Sequence, residues 1–520
     1  MIKDLPDLTR RNLLVAGAAA LGAGLAPQSA LAQGAPKRGG KFRLGLTGAN
    51  TGDSHDPATW GTSALNNFGL WGAVYNNLLE IGPDGKVTPE LAESFESSPD
   101  AKIWTFKLRR GVTFHNGKTL DADDVVASIN HHRGAQTKSA AKAILSVVAD
   151  VKADGKERVV FTLSSGSADF PASVTDYHLP IGPLKDGKID WEAASGTGGY
   201  TLVSHQRGVK MVLKRNPNYW KPGRAWFDEV EIINIPDVAA RMNALVSGQV
   251  DAIINPDIKT LALLQRDTSV VVEELPGTTH YTMPMFTDVA PFNNKDVRLA
   301  LKYAIDRKAL VQTILRGHGR EGNDSPITPA NVYFNEKLLP RAYDPEKAKF
   351  HLKQAGMSSL KVDLSASDAA FGGALDTAVL FKEHASKAGI DVNVIREPND
   401  GYWTNVWTKK PFVMCFWAGR PTEDWMFSQV YAKGTPYNDT HWDNDRFNAL
   451  LLQARAELNT GKRAEIYGEM QTILSNDGGV IIPMFANNIH ARSTKIAHAA
   501  KMGANLGMDG WKPVERWWFA

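Results

Sequence analysis

The sequence predicts a mixed α/β chain with more than one core, rich in antiparallel strands in its first half and in β-α-β units in its second. Three observations carry this. The chain has 520 residues, and single hydrophobic cores stop growing at about 250–300 residues, so two or three subdomains are expected. Apolar and polar residues alternate over 103–109, and 200–235 is a β-rich stretch. Beyond residue 290 the apolar residues fall at helical spacing, with helix caps and short buried strands between them.

The elements follow in order. Residues 41–46 read as a first strand after the flexible Pro36-Lys37-Arg38-Gly39-Gly40. In 103–109, Trp104, Phe106 and Leu108 point one way and Thr105, Lys107 and Arg109 the other. Val112 and Phe114 extend this strand into a hairpin-type turn, His115-Asn116-Gly117-Lys118. Asp121 caps a helix, Asp123 and Asp124 sit where the helix dipole favours anions, and Val125, Val126 and Ile129 form its apolar face. Residues 158–163 are a further strand. Val209, Met211 and Leu213 alternate with Lys210, Val212 and Lys214, and 229–235 repeats the pattern. A helix over 239–247, ended by Gly248, precedes a short buried strand at 250–254. Val297, Ala300, Leu301, Ala304 and Ile305 keep helical spacing, and Asp306 caps a second helix. Asp344-Pro345 opens another, which Gly356 closes. Strand 362–365, helix 375–388 and strand 392–395 make a β-α-β unit, hence a parallel pair. A buried strand at 412–416, helices at 445–458 and 461–475, and a strand at 480–485 complete the chain. It contains no internal repeats and no low-complexity linker.

Composition narrows the function classes. A net charge of +3, without a dense Lys/Arg stripe, argues against nucleic-acid binding. The 14 tryptophans exceed what a core needs, and such aromatics serve clefts for sugars, peptides or opines; most are expected in the core all the same. The lone Cys415 lies in an apolar run and cannot form an internal disulfide. Thr9-Arg10-Arg11-Asn12-Leu13-Leu14 reads as a twin-arginine signal, followed by the apolar run 13–26 and the cleavage site Ala30-Leu31-Ala32. The run is too short for a bilayer span, which takes about 20 residues. No cysteine stands at the cleavage point, so no lipid anchor is expected. The mature chain is expected to begin near Gln33, in a bacterial periplasm.

Catalytic motifs are absent. There is no G-x-S-x-G, H-E-x-x-H, C-x-x-C or Walker glycine loop. Gly196-Thr197-Gly198-Gly199 lacks the Lys-Ser/Thr of a phosphate loop and reads as a turn. His131-His132 diverge by about 100° on a helix and read as a solvated face rather than a chelate. The expectation is a binder, not an enzyme, with no cofactor and no metal.

Four ordered blocks carry a family resemblance. The first is Leu91-Ala92-Glu93-Ser94, then Trp104-Thr105-Phe106-Lys107-Leu108-Arg109-Arg110-Gly111-Val112-Thr113-Phe114-His115-Asn116-Gly117, then Asp123-Asp124-Val125. The second is Gly196-Thr197-Gly198-Gly199-Tyr200 with Lys214-Arg215-Asn216-Pro217-Asn218-Tyr219-Trp220. The third is Val297-Arg298-Leu299-Ala300 with Tyr303-Ala304-Ile305-Asp306-Arg307, and the fourth Tyr343-Asp344-Pro345-Glu346-Lys347-Ala348. The chain resembles the bacterial extracellular solute-binding proteins of family 5, the peptide/opine/nickel group. The resemblance implies a two-lobed periplasmic-binding-protein fold of the class II type, with an extra subdomain on the N-terminal lobe. By that analogy lobe I holds 33–80, 196–287 and 488–520, the extra subdomain 81–195, and lobe II 288–487. It further implies a monomer that encloses a small molecule between its lobes. Its partner would be an inner-membrane ABC permease with cytoplasmic ATPase subunits.

The resemblance also points to site residues. Peptide binders of the family use a Trp-x-Gly-Asp segment whose aspartate grips the ligand ammonium. Here the segment is Trp417-Ala418-Gly419-Arg420, with arginine in place of the acid. Those binders also carry an arginine after a strand of the β-α-β unit. Here that stretch is Ser365-Ala366-Ser367-Asp368-Ala369-Ala370, with no arginine. A zwitterionic dipeptide is therefore not the expected ligand. An arginine sealed in a cleft needs an anion, since an unpaired buried charge costs about 3–5 kcal/mol. The ligand can supply it, as an opine, acidic sugar derivative or phosphorylated compound would; alternatively Glu423, Asp424 or Asp368 neutralises Arg420 internally. Trp403, Trp407, Trp417 and Trp425 cluster around this segment. Trp60, Thr62, Tyr281 and Met283 match first-lobe positions that border the ligand in family members. The ligand-binding set expected is thus Trp60, Thr62, Tyr281, Met283, Asp368, Trp403, Trp417, Gly419, Arg420 and Asp424. The alternatives are a metal-chelate, haem or signalling binder of the same fold, or, in another class, a periplasmic hydrolase or folding helper. Changing Arg10 and Arg11 to Lys is expected to stop export through the twin-arginine route, measured as loss of mature protein from the periplasmic fraction.

Overall fold

The computed structural model describes residues 36–520, apart from Thr62, Ala135 and Pro421. The expected signal peptide, 1–32, lies outside the described residues. A seven-stranded sheet runs in the spatial order Tyr200–Gln206, Lys210–Arg215, Glu229–Asn234, Lys41–Leu46, Ala252–Ile254, Asn488–Ser493, Val270–Leu275. Lys41–Leu46 is parallel to both neighbours and the remaining pairs are antiparallel. Phe42, Leu44, Met211, Leu213, Val230 and Ile232 are fully buried on one side of it. They pack with a wide helix, Asn66–Val74, whose nine residues are all buried. No element was read from the sequence there, because burial on every side leaves no period to detect. The glycine run before Tyr200 is explained by close approach. A Cβ on Gly196 or Gly198 would overlap the backbone of Val74, at the end of that helix.

A second sheet has the order Gly319–Glu321, Val480–Ala486, His280–Pro284, Cys415–Trp417, all antiparallel. Bridges at Met285–Phe412 and Ser365–Val413 join it to the parallel pair Leu360–Ala366 and Ile390–Arg396. Helix Ala374–Ser386 connects that pair, which is the β-α-β unit read from the sequence. One assignment needs correction. The resemblance places Tyr281 and Met283 in the first lobe, but their strand pairs with Val480–Ala486 and Cys415–Trp417 in the second sheet. The same two stretches of chain run antiparallel through both sheets: Val270–Leu275 beside Asn488–Ser493, then His280–Pro284 beside Val480–Ala486. The chain therefore changes sheets at residues 276–279 and at Asn487.

The third sheet, in the order Ala92–Ser97, Ile103–Leu108, Arg158–Leu163, Val148–Asp154, is wholly antiparallel. Ile103–Leu108 buries alternate residues, as its pattern predicts. Helix Ala122–His131 packs Val125 and Ile129 into the same core as Phe106 and Phe161. Asp121 caps it, and Asp124 returns the bond to the Asp121 amide. The two histidines at its end are not a solvated face. His131 Nε2 lies 2.6 Å from Asp56 Oδ1, while His132 is fully buried with Nδ1 2.7 Å from Ser139 Oγ. Burial pulls His132 down to about 3, which keeps it neutral. Trp191 packs its ring against His131, with centroids 5.5 Å apart.

The second half is held by a buried ion pair. Arg307 meets both oxygens of Asp324 at 2.8 Å, and Asp324 also accepts the Ile482 amide at 2.9 Å. The Arg307 side chain is 1% exposed and that of Asp324 0%. This ties helix Arg307–Thr313 to the central strand of the second sheet. Asp324→Ala strands the guanidinium and is expected to lower the unfolding free energy by about 3–5 kcal/mol, read from denaturant titration.

Candidate ligand-binding cleft

A cavity of about 280 Å³ opens where residues from distant parts of the chain converge. Gly419, Arg420 and Gln429 come from the end of strand Cys415–Trp417 and the helix Glu423–Val430 that follows. Asp176, Tyr177 and His178 follow the short helix Phe170–Ser173. Trp71, Lys512 and Arg516 supply the floor.

Arg420 dominates one wall. Its Nε donates to Gln429 Oε1 at 2.7 Å and Nη1 to the Ala418 carbonyl at 2.9 Å. The guanidinium lies 5.8 Å from the Trp417 ring centroid. Nη2 makes no hydrogen bond to the described residues, and none of their carboxylates lies within ion-pair distance. The three acids weighed as internal partners are engaged elsewhere. Asp424 takes Arg455 Nε at 2.7 Å, Glu423 accepts the Tyr333 amide at 2.6 Å, and the exposed Asp368 accepts the Leu375 amide at 3.3 Å. Burial pulls the Arg420 guanidinium below its ordinary value, opposed by Tyr177, Asp176 and Tyr437. Gly419 is required where it stands, since a Cβ there would overlap the side chain of Thr278 in the 276–279 crossing.

The opposing wall is built on His178. Its Nδ1 lies 2.6 Å from Asp176 Oδ1 and its Nε2 2.6 Å from the Trp60 carbonyl. The ring thus bridges the Asp176 side chain to the backbone of Trp60. Tyr177 packs edge-on to Trp511 at 5.5 Å, and burial raises its phenol, which stays a neutral donor.

The floor rests on buried charges. Lys221 Nζ meets Glu80 at 3.1 Å, Glu90 at 2.5 Å and Glu515 at 3.1 Å. Lys512 adds bonds to Glu80 and Glu90 at 3.2 and 3.1 Å, and lies 4.9 Å over the Trp71 ring. Arg516 reaches Glu80 at 3.3 Å and Asp509 at 3.1 Å. The oxygens of Glu80, Glu90 and Glu515 converge closely enough to hold a metal ion. The Lys221 ammonium already stands among them.

The structure divides the expected site residues. Gly419 and Arg420 line the cavity. Trp60, Met283 and Trp417 are buried in cores at 1%, 0% and 7% exposure. The Trp60 carbonyl still holds His178, and Trp417 Nε1 donates to Asp439 at 3.3 Å. Asp424 is spent on Arg455 and does not face Arg420. Tyr281 stacks on Phe371 at 3.9 Å, and Trp403 packs against Phe416 at 5.8 Å, both outside this cavity. Thr62 lies outside the described residues. Asp176, Tyr177, His178 and Gln429 were missed. Nothing local marks them, because they matter only through what the fold places opposite.

Comparison with known proteins now supplies the class. The fold is the two-lobed α/β fold shared with the structure of HbpA2 from Haemophilus parasuis. That likeness has a TM-score of 0.79 at 23% identity, covering 88% of this chain and 96% of the other. Residues 86–439 match the model of bacterial extracellular solute-binding proteins, family 5 Middle, and the chain belongs to that family. Heme-binding protein A of Haemophilus influenzae is 29% identical over 438 residues, 78% of this chain and 80% of that protein. The dipeptide-binding protein of Escherichia coli is 26% identical over 454 residues, 79% and 83% of the two chains.

Glu423 gives a test of the wall's electrostatics. Burial raises its carboxyl to about 7 from an ordinary 4.5. The folded state thus prefers the neutral acid: that stability is fully present below pH 4.5 and lost as pH rises through about 7. Glu423→Gln is expected to be more stable than wild type at pH 8 by about 1–3 kcal/mol, with the gap closing near pH 4.5, in urea melts at the two pH values.

Proposed function

We propose that this chain is the periplasmic, non-catalytic ligand-capturing subunit of an ABC importer, and that its ligand is a small polar organic molecule bearing a carboxylate or phosphate. The observation that carries the ligand class is Arg420. It is a half-buried guanidinium on the cleft wall, and among the described residues its Nη2 has no hydrogen bond and no carboxylate lies within ion-pair distance. Guanidinium pairs with carboxylate or phosphate through two parallel hydrogen bonds. Tyr177 and Gln429 offer neutral hydrogen-bonding groups beside it, and Trp71 an apolar face.

In this reading the seven-stranded sheet is lobe I and the second sheet, with His280–Pro284 included, is lobe II. Residues 81–195 form the extra subdomain that brings Asp176–His178 to the cleft. Crossings at 276–279 and Asn487 are the hinge. The mature monomer, exported by the twin-arginine route and cut near Ala32, delivers its ligand to a membrane permease driven by cytoplasmic ATPases. A second reading, a larger planar ligand such as haem, is favoured by the name of the Haemophilus influenzae relative and by exposed Trp403 and Phe416, 39% and 37% accessible. Mass spectrometry of ligand released from the purified protein separates the two.

Truncating one partner of a desolvated charge pair costs about 2–5 kcal/mol, roughly 30- to several-thousand-fold in affinity. Arg420→Ala is expected to lose that much by calorimetric titration of the released ligand. The melting temperature of the ligand-free protein should hardly move, because no internal carboxylate is stranded. Unchanged affinity would remove Arg420 from the site and the anionic ligand with it.

A further inference from the structure

A second cavity, of about 440 Å³, lies wholly within the second half of the chain and shares no lining residue with the cleft. It sits between edge strand Gly319–Glu321, helix Arg307–Thr313 and the loop through residue 340. Arg320 is its notable feature. Its guanidinium is stacked 4.5 Å from the Phe485 ring centroid, and its Nε is shut off from solvent with no hydrogen-bond partner. Among the described residues no acceptor and no carboxylate reaches any of its nitrogens. Glu321 and Glu336 stand exposed at the rim, and neither comes within ion-pair distance of it. Burial pulls Arg320 down to about 10, with nothing opposing the pull. A guanidinium left like this is costly unless an anion completes it.

The rest of the lining says what the anion is attached to. Phe334, Leu338 and Leu339 present apolar surface, and Lys308 stands exposed at the mouth. A wholly hydrophilic anion would leave that surface uncovered. A neutral apolar molecule would leave Arg320 unsatisfied.

We propose that this cavity is a second small-molecule site, taking a monoanionic carboxylate with an apolar chain or ring, its head on Arg320 and its tail against Leu338 and Phe334. The site is independent of the cleft and stands or falls apart from the ligand assigned to Arg420. Octanoate, octanol and acetate separate head from tail, and calorimetry on the full mature protein reads each. Octanoate is expected to bind about tenfold or more tightly than either octanol or acetate. Arg320→Gln should reduce octanoate to the level of octanol, whereas Arg420→Gln should leave it unchanged. Leu338→Trp, which fills the cavity and keeps the guanidinium, should also remove octanoate binding and decides the matter if Arg320→Gln folds poorly. Equal binding of octanoate and octanol, or loss in Arg420→Gln instead of Arg320→Gln, would overturn the proposal.

Discussion

The cluster of Glu80, Glu90 and Glu515 with Lys221, Lys512 and Arg516 is the constraint on which the cleft depends. These groups are separated by up to 436 residues in sequence yet lie within 2.5–3.3 Å of their partners. Coulomb attraction to the cations holds Glu80 well below the usual carboxylate range, against the desolvation that would neutralise it. Such a cluster is poor as a source of net stability, because desolvation offsets most of the attraction. Its value is positional. Removing any one member leaves an uncompensated buried charge, so the C-terminal segment has one place to sit. Trp71, Lys512 and Arg516 therefore form a fixed floor beside the wall that bears Arg420.

Much of the fold could be read from the sequence because its determinants are local. Asp121, Asp306 and Asp344 cap their helices as expected. The alternation at 103–109 gives its strand, and the β-α-β spacing its parallel pair. The losses share a physical cause. The wide helix Asn66–Val74 is buried on all sides and has no amphipathic signature. The strand His280–Pro284 looks alike whichever sheet it joins, since pairing is settled by partners some 200 residues away. His131 and His132 do not form a solvated face because their partners, Asp56, Trp191 and Ser139, lie on other parts of the chain.

The site was legible in part for the same reason. Arg420 stands out because a positive charge occupies the position that, by the resemblance, holds an aspartate in the peptide-binding members of the family. Its state did not follow, since Asp424 and Glu423 lie close in sequence and only three-dimensional geometry assigns them to Arg455 and Tyr333. Asp176, Tyr177 and His178 carry no motif. Their role arises from one histidine held between a carboxylate and the Trp60 carbonyl.

Away from the cavity, the chain segments that face each other across it also touch directly. Asp169 pairs with Arg463 at 2.6 Å, and the Ala168 amide donates to the Arg455 carbonyl at 2.7 Å. In a hinged binder such a clasp forms whenever the jaws meet, whatever lies between them. Its free energy then enters the affinity for every ligand by the same factor, through the fraction of molecules already shut. Selectivity and overall tightness are thereby set by different residues. A substitution at the clasp can retune how much solute is held at a given concentration while leaving the preference among solutes as it was.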